Sequence, residues 1–95
     1  MSGLGSHQPP ADVAVFNCVV NVARANVDGT VVARVANLPG IEGRGQSERE
    51  ALGQAVAAFK AFVAEHHAAG RPIPWRDPPV ASAPGEVQRL IAVHL

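Results

Sequence analysis

The 95-residue chain is predicted to fold as one α+β domain, in which an antiparallel sheet packs against a single long amphipathic helix. Three observations support this class. Residues alternate in character from Val15 to Ala25, the turn-forming pair Asp28-Gly29 follows, and a capped amphipathic helix comes later in the chain. We expect the order β-β-β-α-β, with residues 1–12 as a flexible tail and residues 13–95 as the domain.

The composition predicts a chain that folds and has no net charge. Hydrophobic residues make up 47% and charged residues 17%, far from the composition of disordered chains. Eight basic and eight acidic residues give a formal net charge of zero. Because neutralisation of phosphates dominates non-specific nucleic-acid affinity, we expect no nucleic-acid partner.

The expected location is the cytoplasm. Cys18 is the only cysteine, so no internal disulfide can form. The first twelve residues lack the basic and apolar regions of a signal peptide, and no apolar run approaches the roughly 18 residues of a membrane span.

The first two strands are predicted to form a hairpin. Asp28 and Gly29 suit the two central positions of a type I′ turn, which would place Val22 opposite Val35. The face predicted to meet the helix comprises Phe16, Cys18, Val20, Val22, Val31, Ala33 and Val35. The other face mixes polar and small residues with Val19 and Val32, and we interpret it as a second contact surface.

A capping box marks the start of the helix. The Ser47 hydroxyl is expected to accept from the Glu50 amide, and the Glu50 carboxylate from the Ser47 amide. The helix should begin near Glu48 and end at Gly70, after a short third strand at residues 41–45. Its apolar stripe comprises Leu52, Val56, Phe59 and Val63, flanked by Ala51, Ala55 and Phe62.

The segment after the helix is predicted to be an extended connector that leads to a last strand. Residues 71–85 hold five of the eight prolines, and the last strand should span Val87–Leu95. Trp75 lies in the connector. It has two interpretations, as a cover for the end of the core or as an exposed interface anchor.

No catalytic, metal or cofactor site is predicted, and we expect a protein that is not an enzyme. His66 and His67 are adjacent, so on a helix they point about 100° apart and do not reach one ion. Cys18 should be buried, and Ser47 is occupied as a helix cap. The glycines of residues 40–45 do not match a phosphate-binding loop.

Five short motifs occur in a characteristic order. They are Asp28-Gly29-Thr30, Leu38-Pro39-Gly40-Ile41, Gly45-Gln46-Ser47, Glu50-Ala51-Leu52 and Ile73-Pro74. Together they resemble the HicB-like antitoxin family, over a span from Phe16 to Trp75. Ala36 departs from the pattern, since the family commonly has proline there. The family's helix-turn-helix and ribbon-helix-helix patterns do not occur in these 95 residues, so operator DNA binding is not expected.

The resemblance implies a β-β-β-α-β fold similar to double-stranded-RNA-binding domains and to part of ribonuclease H. It also implies a homo-oligomer that binds and neutralises a small basic toxin ribonuclease in a toxin-antitoxin system. The candidate interface residues are Val19, Val32, Trp75, Ile91 and Val93. Two alternatives stay open. One is a solitary HicB-like oligomer without a toxin, and the other is an RNA-binding module that uses Arg24, Arg34, Arg44 and Arg49.

Overall fold

The computed structural model describes residues 14–25 and 27–95, and it confirms the predicted α+β class. The elements are β1 (Val15–Arg24), β2 (Val31–Val35), β3 (Glu42–Gly45), α1 (Glu48–Ala69) and β4 (Val87–His94). The strands form one antiparallel sheet in the order β3-β2-β1-β4, and α1 packs on one of its faces. The tail predicted for residues 1–12 lies outside the described residues.

The predicted hairpin register is wrong by two residues. Val20, and not Val22, lies opposite Val35. The Ala25 N–H donates to the Thr30 carbonyl (2.7 Å), so four residues and not two separate the last paired positions. A type I′ turn requires positive φ at Asp28 as well as Gly29, and only Gly29 has it (74°).

The Asp28 side chain explains the longer loop. Its carboxylate accepts a hydrogen bond from the Thr30 N–H (2.9 Å), which fixes a local turn before β2 begins. This hydrogen bond is the main reason that the pKa of Asp28 is lowered.

The predicted faces are confirmed despite the change in register. A shift of two residues leaves every side chain on its original face, because side chains alternate with period two along a strand. The buried core comprises Cys18, Val20, Val22, Val31, Ala33, Val35, Leu38, Ala51, Ala55, Phe59, Val63 and Val93.

The helix begins and ends where the sequence predicts. The Ser47 hydroxyl accepts from the Glu50 N–H (3.1 Å), as expected, and Gly70 ends the helix with φ of 66°. The second half of the capping box differs from the prediction. The Glu50 carboxylate accepts from the N–H of Gln46 (2.8 Å) and not from that of Ser47, so it satisfies a donor one residue earlier.

Trp75 covers one end of the core. Its ring stacks on Phe16, with the centroids 5.8 Å apart and the planes at 22°, and it also lies 6.0 Å from the ring of Phe59. The side chain is still 40% exposed. Of the two interpretations of Trp75, the position of its ring agrees with a cover for the end of the core.

Candidate protein-binding surface

The connector between α1 and β4 crosses part of the open face, which is the sheet face that points away from α1. The Val80 N–H donates to the Ala36 carbonyl (2.9 Å), and the Asn21 side-chain amide donates to the Val80 carbonyl (3.0 Å). Val19 and Asn21 on β1 are only 7% and 4% exposed. The predicted second contact surface is thus partly covered by the chain itself.

Asn37 extends the β1–β2 ladder with its side chain. Its Oδ1 accepts from the Val19 N–H (3.1 Å), and its Nδ2 donates to the Asn17 carbonyl (2.7 Å). A carboxamide presents an acceptor and a donor as a peptide group does. The Asn37 side chain therefore continues the hydrogen bonding to β1 past the end of β2. Asn37 is 8% exposed, and its own carbonyl accepts from the connector at Arg76 (2.9 Å).

Replacing Asn37 with alanine is expected to lower the free energy of unfolding by about 2 kcal/mol, because the buried Val19 N–H loses its partner. Chemical denaturation followed by circular dichroism measures the change. Asn17→Ala is the matched control, since the Asn17 side chain is exposed, and it should change stability by less than about 0.5 kcal/mol. Equal losses in both variants would contradict the bridging role of Asn37.

The outer edge of β4 carries backbone groups without a neighbouring strand in the described part of the chain. β4 pairs with β1 from Val87 to His94, and the Leu95 N–H donates to the Ala14 carbonyl (3.1 Å). In an antiparallel pair the backbone groups of successive residues point alternately toward and away from the neighbouring strand, and this bond shows that the N–H group of Leu95 points toward β1. The residues whose N–H and C=O groups point away from β1 are Gln88, Leu90, Ala92 and His94.

The side chains of β4 leave this edge unprotected. Leu90 is 70% exposed and Val87 is 48% exposed. Edge strands are usually blunted by charges, prolines or bulges, but β4 pairs with β1 without interruption and contains no proline. Its only Lys, Arg, Asp or Glu residue is Arg89, whose guanidinium lies 2.9 Å from the Glu48 carboxylate at the start of the helix.

The opposite edge, β3, is protected. This strand is only four residues long and has two glycines. Its exposed side chains are Glu42 and Arg44, which form an ion pair (3.0 Å). Short length and charge both discourage pairing with another strand. The two edges of the sheet therefore differ in their capacity to bind a strand.

The structure separates the five predicted interface residues into different environments. Val19 and Val93 are buried, Val32 and Ile91 are half-buried, and Trp75 packs on the core. The sequence reasoning selected β4 but missed Leu90, its most exposed apolar side chain. The alternation of side chains along β4 could have identified Leu90, because it places Leu90 on the opposite face of the sheet from Ile91 and Val93.

Two residues that were considered for catalysis or metal binding, Cys18 and His66, lie in the core and within the helix. Cys18 is fully buried, and this burial raises the pKa of its thiol to about 11. His66 Nδ1 lies 2.9 Å from the Phe62 carbonyl within the helix. Across residues 14–25 and 27–95, no group of three or more His, Cys, Asp or Glu side chains is placed to hold a metal ion.

Several arginines of the RNA-binding alternative are engaged within the chain. Arg34 and Arg44 flank the carboxylate of Glu42 at 3.8 and 3.0 Å. The Arg24 guanidinium donates to the Gly29 carbonyl (2.6 Å). The Glu42 carboxylate offsets part of the charge of Arg34 and Arg44, whereas the hydrogen bond of Arg24 to a carbonyl leaves its charge in place. The RNA-binding alternative stays a prediction.

Comparison of the chain with protein-family models, curated proteins and solved structures finds no match. The resemblance to HicB-like antitoxins therefore stays a prediction. In the described part of the chain, no helix combines the length and apolar character needed to cross a membrane.

Proposed function

We propose that this chain is a non-catalytic protein-binding module whose contact element is the outer edge of β4. The observation that carries the proposal is the combination of exposed Leu90 and Val87 with backbone groups along β4 that pair with no other strand among residues 14–25 and 27–95. Addition of a strand to such an edge is a common mode of protein recognition, in which backbone hydrogen bonds give affinity and alternate side chains give specificity.

The specific form that we propose is a HicB-like antitoxin, a cytoplasmic protein that binds a small basic toxin ribonuclease. The ordered motifs between Phe16 and Trp75 support this form. Several of these motifs have local structural roles, since Gly29 shapes the hairpin and Ser47 and Glu50 cap the region where the helix starts. These motifs therefore support the predicted fold more directly than they support a toxin partner.

The test is affinity purification of the tagged full chain from its native host, with and without nuclease, followed by mass spectrometry. We expect one small basic protein in near-equal amounts in both samples. Leu90→Lys should lose it, because a solvated charge in the middle of the edge opposes strand addition. Ala58→Lys, at an exposed position of α1, is the charge-matched control and should retain it.

A ribonuclease assay completes the test. The recovered protein should degrade RNA, and an equal amount of this chain should block the activity. A recovered complex that disappears with nuclease would favour RNA binding instead. Recovery of no partner would contradict the antitoxin form.

A further inference from the structure

We infer that the partner of the β4 edge in the free protein is β4 of a second copy of this chain. This inference rests on the proposed function, since it assigns a partner to the same edge. The two strands would run antiparallel about a twofold axis and join the two sheets into one of eight strands.

The backbone pattern selects one register. Residues that point outward must pair with residues that point outward, so only every second register is allowed. The register that places Ile91 opposite Ile91 of the partner subunit pairs the whole segment from Val87 to Leu95. It forms about eight inter-chain hydrogen bonds, and a shift to either neighbouring allowed register loses about two of them.

The side chains agree with that register. On the open face, Leu90 would lie opposite the partner's Ala92, so the two copies form an apolar centre there. On the helix face the two Ile91 side chains would meet each other. Cross-strand apolar pairs of this kind are the stabilising units of a sheet, and they would cover Leu90, which is 70% exposed in the single chain.

The charges also fit a second copy. Arg89 would face the partner's Val93 and is already held by Glu48 of its own chain (2.9 Å), so no arginine opposes another. His94 would face the partner's Gln88. β4 carries no Asp or Glu, so no two carboxylates would oppose each other across the pair.

The protected β3 edge makes the association closed. Pairing of β4 with β4 uses the same surface on both copies and, among the strands that the structure describes, leaves the two β3 edges at the ends of the joined sheet. Those edges are short and carry the Glu42–Arg44 ion pair. Assembly should therefore stop at the dimer and not continue into a fibre.

Analytical ultracentrifugation of the full chain, from about 1 to 500 μM, tests the inference. The expected result is a species of twice the 9.9 kDa chain mass, with a dissociation constant on the order of micromolar, since a single strand pair forms a small interface. Leu90→Lys should raise that constant at least tenfold with an unchanged circular dichroism spectrum, whereas Ala58→Lys should not. A wild-type monomer throughout this range would overturn the inference.

Cysteine cross-linking tests the register. In antiparallel sheets the Cα atoms of a non-hydrogen-bonded pair are about 4.5 Å apart, within disulfide range. Ile91→Cys should thus form an inter-chain disulfide readily. Leu90→Cys should react more slowly, because its Cα would lie more than about 7 Å from the matching Cα. The wild-type chain, with only buried Cys18, is the control. Fastest cross-linking through Leu90→Cys would overturn the register.

The outcomes separate this inference from the proposed function. A monomer whose Leu90→Lys variant loses a different bound protein means that self-pairing is wrong while β4 remains the contact element. If Leu90→Lys changes neither self-association nor the recovery of any partner, β4 is not the contact element and both proposals are wrong.

Discussion

Replacing Phe59 with alanine is expected to lower the free energy of unfolding by about 4 kcal/mol. Phe59 is the largest fully buried side chain, and it lies on the helix face that packs against the sheet. Its removal would leave a cavity between α1 and β1–β2, which the regular elements on both sides do not easily close. A domain of this size typically has about 5–15 kcal/mol of stability in total, so the variant would be close to unfolding.

Denaturant titration followed by circular dichroism measures this loss. Trp75, the only tryptophan, gives a second readout, because its ring lies 6.0 Å from that of Phe59 and should show a red-shifted emission in the variant. Phe59→Leu is the control and should lose less than about 1.5 kcal/mol, since it conserves most of the volume. A loss below about 1 kcal/mol for Phe59→Ala would contradict the described packing.

Adding a single methyl group at Gly43 is expected to lower the free energy of unfolding by about 3 kcal/mol. Gly43 is buried in β3, directly beneath the helix. A Cβ atom there would overlap the Ala51 carbonyl oxygen and lie 2.5 Å from the Ala55 backbone nitrogen. These are backbone atoms of a helix, so they do not move aside as a flexible side chain would. The helix would have to lift from β3.

Gly53→Ala is the matched control for Gly43→Ala. Gly53 lies within α1, and nothing approaches within 4 Å of a Cβ atom at that position. Alanine there should raise stability by about 0.5–1 kcal/mol through its higher helix propensity. Thermal unfolding of the two variants should thus shift in opposite directions. A neutral or stabilising Gly43→Ala would mean that the helix does not rest directly on β3.

The parts of the fold that follow from local patterns were predictable. Alternation fixed the faces of β1 and β2, and the cap at Ser47 together with Gly70 fixed the helix. The hairpin register was not predictable from the Asp28-Gly29 pair alone. This pair suits both a two-residue and a longer loop, and the hydrogen bond from the Thr30 N–H to the Asp28 carboxylate decides between them.

The features that depend on distant contacts could not be derived from the sequence. Asn37 looks like an ordinary loop residue, yet the path of the connector buries it against β1. The exposure of Leu90 requires the order of strands, which leaves β4 at the edge of the sheet. Periodicity describes the faces of one element and does not determine which elements become neighbours.

The position of β4 also has a consequence for the order of folding. β1, β2, β3 and α1 follow one another along the chain, but β4 reaches β1 only across a long separation, as between Val22 and Val87. Closing so large a loop is slow compared with forming a hairpin or a helix, so β4 should dock last. Until it does, the apolar strand β1 is itself an open edge. The step that completes the monomer would therefore cover a long, aggregation-prone strand and, in the same event, form the β4 edge that we propose for association.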